Sequence, residues 1–532
     1  MSKKDNYISW KWTDAHFCNL PSHTLYLGLS CGISTTPQTN VYSHAKVIDP
    51  DGSSNKFLVA SRVGKIISLE YQIVMDKLSP LAKIIPFSYI PAGAELVSLD
   101  VLSKSSHQQR IVVGITFIKF EEESEDTEGS RKQYLNLYSL REEYSGFDNI
   151  DDCCSQSLDL DFIPYQLTHT SIFFEGKLES VFLLVGSDNK IHMYKEVSAT
   201  QQSFEEFPTS DCFPEFKDIS TCVHWIDIVH YSQYYRRITA GGHRDGRVVV
   251  THVDVKKAEL LSSWSLQHDS PITCIKIFSF ENDVVQPAFI NYNKEDIKKP
   301  TGDPVYHILV VSALEPAAVY RNILSTGLKN PLVLPQSNKF DIPLCVCIVD
   351  IDFDGYNEIL IGTYGQELLA YKFIPHQDKL HEKEAVNTET YDSNDVNFSD
   401  PYKNRQRSDH LSEQNHASPL DVQATLRSKS QENLTFKHSV ENLAKSNIKC
   451  KSEESVDNKS DHFTMIWQRS FACPVMGVDK VDIMGDGMED LVVVTLKGVH
   501  IIQPDLQEIA KLCLERMNLL TQKKCEQSSG KM

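Results

Sequence analysis

The fold class this sequence predicts is all-β: a seven-bladed β-propeller with a long disordered inter-blade loop and a short C-terminal α-helix. Three observations predict it. An apolar, β-rich run that breaks at a short Gly/Asp/Asn turn and resumes as a second strand-like run recurs about seven times. The copies start near residues 57, 111, 181, 238, 308, 359 and 491. Setting aside the 87-residue polar tract His376–His462 brings the last gap, from 359 to 491, down to 45 residues, about one four-stranded blade of roughly 40–50 residues.

The elements follow in chain order. Residues 1–20 read as an N-terminal tail. Residues 21–375 read as blades 1–6, with hairpins such as FLVASRVGKIISLEY (Phe57–Tyr71), VFLLVGSDNKIHMYK (Val181–Lys195), ITAGGHRDGRVVVTH (Ile238–His252) and ILIGTYGQELLAYKF (Ile359–Phe373). An apolar strand precedes most hairpins, as in Ala94–Leu102, Thr221–His230, Pro271–Phe280 and Pro343–Ile351, and stretches such as Ala258–Leu266 supply an outer fourth strand. Residues 463–503 are expected to form the last blade, closed by an N-terminal strand that we place at Thr24–Ser30 (TLYLGLS). The Trp-Asp pairs of WD40 repeats are absent, so this is a propeller of another kind.

The tract 376–462 is rich in Ser, Asn, Asp, Glu, Gln and Lys, and cannot bury enough apolar area to offset the entropy of ordering it. Within it, Arg427–Ser430 (RSKS) matches a basophilic kinase site at Ser430; the alternative is a plain solvated spacer. A second acidic stretch, Glu121–Gly129, reads as a solvated hairpin loop or a contact for a basic partner. In residues 504–532 Pro504–Asp505 reads as a helix start. Leu506, Ile509, Leu512 or Cys513, Arg516 or Met517, and Leu520 then recur at helical spacing. That helix either packs on the rim or docks another subunit.

Composition excludes several classes. There are 53 Lys+Arg against 72 Asp+Glu, a net charge of −19. Such a balance opposes nucleic-acid binding, where neutralised phosphates dominate affinity, and adsorption to anionic lipid. It suits a soluble protein with basic partners. The 13 cysteines include no C-x-x-C pair, which argues against zinc and for small buried side chains in a reducing compartment. The N-terminus lacks the apolar core of a signal peptide, and no run approaches the roughly 20 apolar residues of a membrane span. The expected location is therefore cytoplasmic. Phosphate-binding loops and HExxH are missing, and no catalytic residues are expected.

One motif carries chemistry. VDIDFDGYNEILIG supplies Asp350, Asp352, Asp354, Gly355 and Glu358. Alternating carboxylates ahead of a glycine turn, closed by a later acid, can wrap a hard cation such as Ca²⁺. A second copy aligns without gaps at Asp482, Asp486, Gly487 and Asp490, with Met484 at the middle ligand position. The alternative is an Asp-rich turn held by its own backbone amides. No cofactor is expected beyond a structural Ca²⁺ in the first box. Its spacing, D-x-D-x-D-G-x-x-[DE] followed at once by an apolar strand, resembles the FG-GAP repeat of integrin α-chain propellers, in which the loop binds calcium.

A closer resemblance rests on longer strings. IPAGAELVSLD (Ile90–Asp100), VVGITFIK (Val112–Lys119), FIPYQLTH (Phe162–His169), LEPAAVYRNILSTGL (Leu314–Leu328), TYGQELLAYK (Thr363–Lys372), WQRSF (Trp467–Phe471) and LKGVHII (Leu496–Ile502) resemble the kaptin family, in order, over about residues 50–505. The resemblance implies a non-enzymatic scaffold subunit of the KICSTOR complex at the lysosomal surface. Its implied companions are a second integrin-α-like propeller protein and a very large scaffold subunit. The complex would bring the Rag-directed GTPase-activating complex to lysosomes and so restrain TOR complex 1 in amino-acid or glucose starvation. The same resemblance implies, as the alternative, a cytoskeletal protein on F-actin in actin-rich projections.

Overall fold

Seven four-stranded antiparallel sheets follow one another along the chain. The computed structural model describes residues 12–21, 23–25, 33–35, 38–48, 55–91, 93–104, 110–120, 131–141, 154–198, 203–280, 305–376 and 460–529. The second strands of blades 1–7 are Lys56–Ser61, Arg110–Phe120, Lys177–Gly186, Arg236–His243, His307–Ser312, Glu358–Thr363 and Asp490–Thr495. Each covers one of the seven starting points read from the sequence. The innermost strands of blades 1–7 are His44–Val47, Glu95–Lys104, Pro164–Phe174, Val223–Tyr231, Ile272–Phe278, Pro343–Val349 and Val475–Val481. They touch in cyclic order, the last meeting the first, so the ring closes.

Hydrophobic burial explains why the second strands were so legible. The core is divided into seven clusters, one in each seam between neighbouring blades. A second strand has a seam on both faces. Glu358–Thr363, His307–Ser312 and Asp490–Thr495 are buried at every position, and so read as continuous apolar runs. The seams also need close backbone approach. A Cβ on Gly362 would lie 2.5 Å from Cys345 Sγ and from Val475 Cγ1 of the next blade. Polar pairs join the inner strands as well, with Asp100–His169 at 2.8 Å, Asp227–Lys276 at 2.8 Å and Lys46–Asp479 at 3.8 Å.

Three expectations about segment boundaries are corrected. The closing strand is Trp12–Asn19, paired antiparallel with Gly498–Pro504 as the outer strand of blade 7. Residues 12–19 therefore belong to the ring and not to a tail. Thr24 and Leu25 instead pair with Ser34 and Ile33 in a separate two-stranded hairpin, and residues 26–30 lie outside the described residues. The physical reason is that an outermost strand buries little. Of this strand only Trp12 is buried, and a bulge between Asp14 and His16 breaks the two-residue period.

The polar tract, for its part, interrupts blade 6 and does not separate two blades. His462–Ser470 pairs with Glu367–Ile374 as the outer strand of blade 6, and the last blade starts at Val475. Residues 377–459, with Ser430, lie outside the described residues, as does Glu121–Gly129.

Two α-helices are described, a single turn at Ile323–Thr326 and the C-terminal helix Leu506–Ser529. The latter starts where the sequence places it. Asp505 Oδ1 accepts the Gln507 amide at 2.9 Å, an N-cap bond.

Candidate functional site

The acidic turn of blade 6 spans the gap between its first and second strands, and its own amides shape it. Asp350 Oδ1 accepts the Asp354 N–H at 3.0 Å and Asp350 Oδ2 the Gly355 N–H at 2.8 Å. Asp354 Oδ1 accepts the Tyr356 N–H at 2.9 Å, and Glu358 Oε2 the Ile351 N–H at 2.9 Å. Gly355 takes φ +92°, a conformation open to glycine, while Phe353 is held at φ +56°. All four predicted residues are thus brought together. One oxygen from each of Asp350, Asp352 and Glu358 lies within 4.8 Å of the others.

A residue the motif did not include occupies the middle. Lys372, on the third strand, donates to Asp352 Oδ2 at 2.5 Å, Asp354 Oδ2 at 2.7 Å and Glu358 Oε1 at 3.0 Å. These are the three donors an ammonium has. Burial opposes its charge, yet bonds to Asp352, Asp354 and Glu358 hold its pKa above the ordinary lysine value. The carboxylates show the converse. Burial, then the neighbouring Asp352 charge, pushes Glu358 up to about 8, and burial raises Asp350 and Asp352. The donor types suit a hard cation, but with Lys372 in place the centre belongs to the chain's own ammonium. The box does not fit a divalent metal.

Blade 7 repeats the loop with different contents. Asp482 accepts the Asp486 amide at 3.0 Å and the Gly487 amide at 2.8 Å, and Asp486 accepts the Met488 amide at 2.9 Å. The strand register that pairs Leu491 with Ile502 sets Asp490 opposite Gln503, where blade 6 sets Glu358 opposite Lys372. Burial and then Asp486 push Asp490 up to about 7.

The blade 6 turn also anchors the closing strand. The Trp12 indole N–H donates to Ile351 O at 3.2 Å, and its ring stacks on Phe353 at 6.1 Å and 10°. Arg469 of the outer strand of blade 6 donates to Trp12 O at 2.9 Å and pairs with Asp14. The acidic turn and the ring closure are one structure. The signal that could have revealed Lys372 is the hairpin register of ILIGTYGQELLAYK, which sets it across from Glu358. Trp12 carried no comparable signal.

Beyond this seam the surface offers apolar contacts. Blade 1 ends in a hairpin turned by Met75 and Asp76, with φ +51° and +58°, the type I′ signature. Ile73, Val74, Met75 and Leu78 are exposed at its tip. The C-terminal helix half-buries Ile509 and Leu512 and exposes Leu506, Leu514, Met517 and Leu519. Among the described residues, no helix is long and apolar enough to cross a membrane.

The described residues thus define a closed seven-bladed propeller whose blade 6 polar cluster holds a seam and whose surface carries exposed apolar side chains. Comparison with known proteins narrows this to a family. The family model described as KICSTOR complex protein kaptin matches residues 12–401 and 426–514. The mouse KICSTOR complex protein kaptin is 33% identical over 496 residues, covering 93% of this chain and 92% of that protein. The chain belongs to the kaptin family. Similar solved structures include BBS1N in complex with ARL6DN, at 9% identity and TM-score 0.42 over 93% of this chain and 98% of that one. The WD40 repeats of RRP9 match at 11% identity and TM-score 0.40, over 93% of this chain and all of that one.

Proposed function

We propose that the chain is a non-enzymatic scaffold subunit of a KICSTOR complex. In this reading it helps to recruit the Rag-directed GTPase-activating complex to the lysosomal surface, and so restrains TOR complex 1 when amino acids or glucose are scarce. The observation that carries it is the 33% identity to mouse kaptin, which runs through 93% of this chain. The exposed apolar residues of the C-terminal helix and of the blade 1 hairpin supply contact surface for the two companions expected, a second integrin-α-like propeller and a very large scaffold subunit. Its place at the lysosome is borrowed from these partners. Purification of the endogenous chain from cells tests the proposal. Both companions are expected to co-purify, and deletion is expected to leave TOR complex 1 substrates phosphorylated during starvation. Companions absent from the preparation, or an intact starvation shutdown after deletion, would overturn it.

A further inference from the structure

We infer that the ε-ammonium of Lys372 is the resident cation of the blade 6 acidic turn, occupying the space between its carboxylates that a divalent ion would need, so that ring closure here is independent of metal.

Oxygen accounting carries the inference. The four carboxylates of the turn offer eight oxygens. Both of Asp350 accept backbone amides. Asp354 gives one to an amide and one to Lys372, and so does Glu358. Asp352 gives Oδ2 to Lys372, which leaves Asp352 Oδ1 as the one without a partner. Calcium asks for six to eight oxygens and magnesium for six in near-octahedral array. A divalent ion would have to expel the lysine, which holds one oxygen of each of Asp352, Asp354 and Glu358.

The chain supplies its own control. In blade 7 the amide bonds of the first two carboxylates recur at the same lengths, so the loop takes its form without an ammonium. There Met484 stands for Asp352, and the residue in register with the buried acid is the neutral Gln503. Removal of one carboxylate goes together with removal of the lysine. Lys372 is therefore matched to the extra charge of blade 6 and not to the turn as such.

The cluster also sits under a structural contact that a labile ion would expose to fluctuation. Trp12 rests on Ile351 and Phe353, both within the turn.

Thermal unfolding and terbium luminescence on the purified full chain test this, with Trp12 in contact with the turn as the sensitiser. The wild type is expected to melt at the same temperature in calcium and in chelator, and to give no sensitised emission that Asp352→Asn removes. Lys372→Gln is expected to melt lower in chelator, to be raised by calcium, and to bind terbium at least tenfold more tightly than wild type. Terbium or calcium uptake by the wild type that Asp352→Asn abolishes would overturn the inference. So would a Lys372→Gln protein with wild-type stability and no gain in cation affinity. If Lys372→Gln does not fold, the wild-type and Asp352→Asn pair still decides, since uptake sensitive to Asp352→Asn contradicts the inference and its absence upholds it.

Discussion

Buried charge is what single residues contribute to this ring, and the two acidic turns handle it differently. Blade 6 encloses Glu358, which is 1% exposed, and supplies an ammonium to meet it. Blade 7 encloses Asp490, 2% exposed, and supplies an amide in register but no cation; Oδ2 is left without a hydrogen-bond partner. An acid whose pKa is about 7 in the folded chain, well above its ordinary value, favours folding while it is protonated and loses that contribution as pH rises. Asp490→Asn removes the ionisation. Its stability relative to wild type is expected to improve from about pH 4 to about pH 7 and to level off above that in urea titrations. A difference that stays flat across that range would show that Asp490 is ionised throughout.

At the scale of elements, the closing strand and the C-terminal helix make opposite demands. Trp12 fills the blade 6–7 cluster at 6% exposure, beside Cys345, Val475 and Leu491. Trp12→Ala is expected to cost about 3–5 kcal/mol in denaturant unfolding, the range for emptying a buried aromatic site. A loss under about 1 kcal/mol would mean that the strand's backbone pairing alone closes the ring. Truncation after Asp505 removes a helix that is largely exposed. The unfolding midpoint is expected to move by less than about 2 °C, while companion subunits are lost from the purified complex. Legibility followed burial. Ile359–Thr363 and Leu491–Thr495 were plain in the sequence because seams on both faces demand unbroken apolar runs. Trp12–Asn19 and His462–Ser470 were misplaced because outer strands face water and mix polar with apolar residues. The acidic turn was legible as a spacing, and Asp350, Asp352, Asp354 and Glu358 do converge. Lys372 was not, because it meets Glu358 across a hairpin and not along the chain.

For the whole molecule, closure joins the far ends of the chain. Residues 12–19 complete a blade whose other strands begin at Val475, so the ring cannot form until nearly all of the chain is present. Contacts of that sequence separation fold slowly and, once made, brace every seam together. Such a ring, with apolar side chains exposed at a hairpin tip and along the C-terminal helix, suits the scaffold role proposed above. The most direct test is cryo-electron microscopy of the assembly purified on this chain. The account predicts a closed seven-bladed ring with Trp12–Asn19 as the outer strand of blade 7 and companion subunits seated on the exposed apolar surfaces. An open or elongated chain, or a ring recovered with no companion bound, would contradict it.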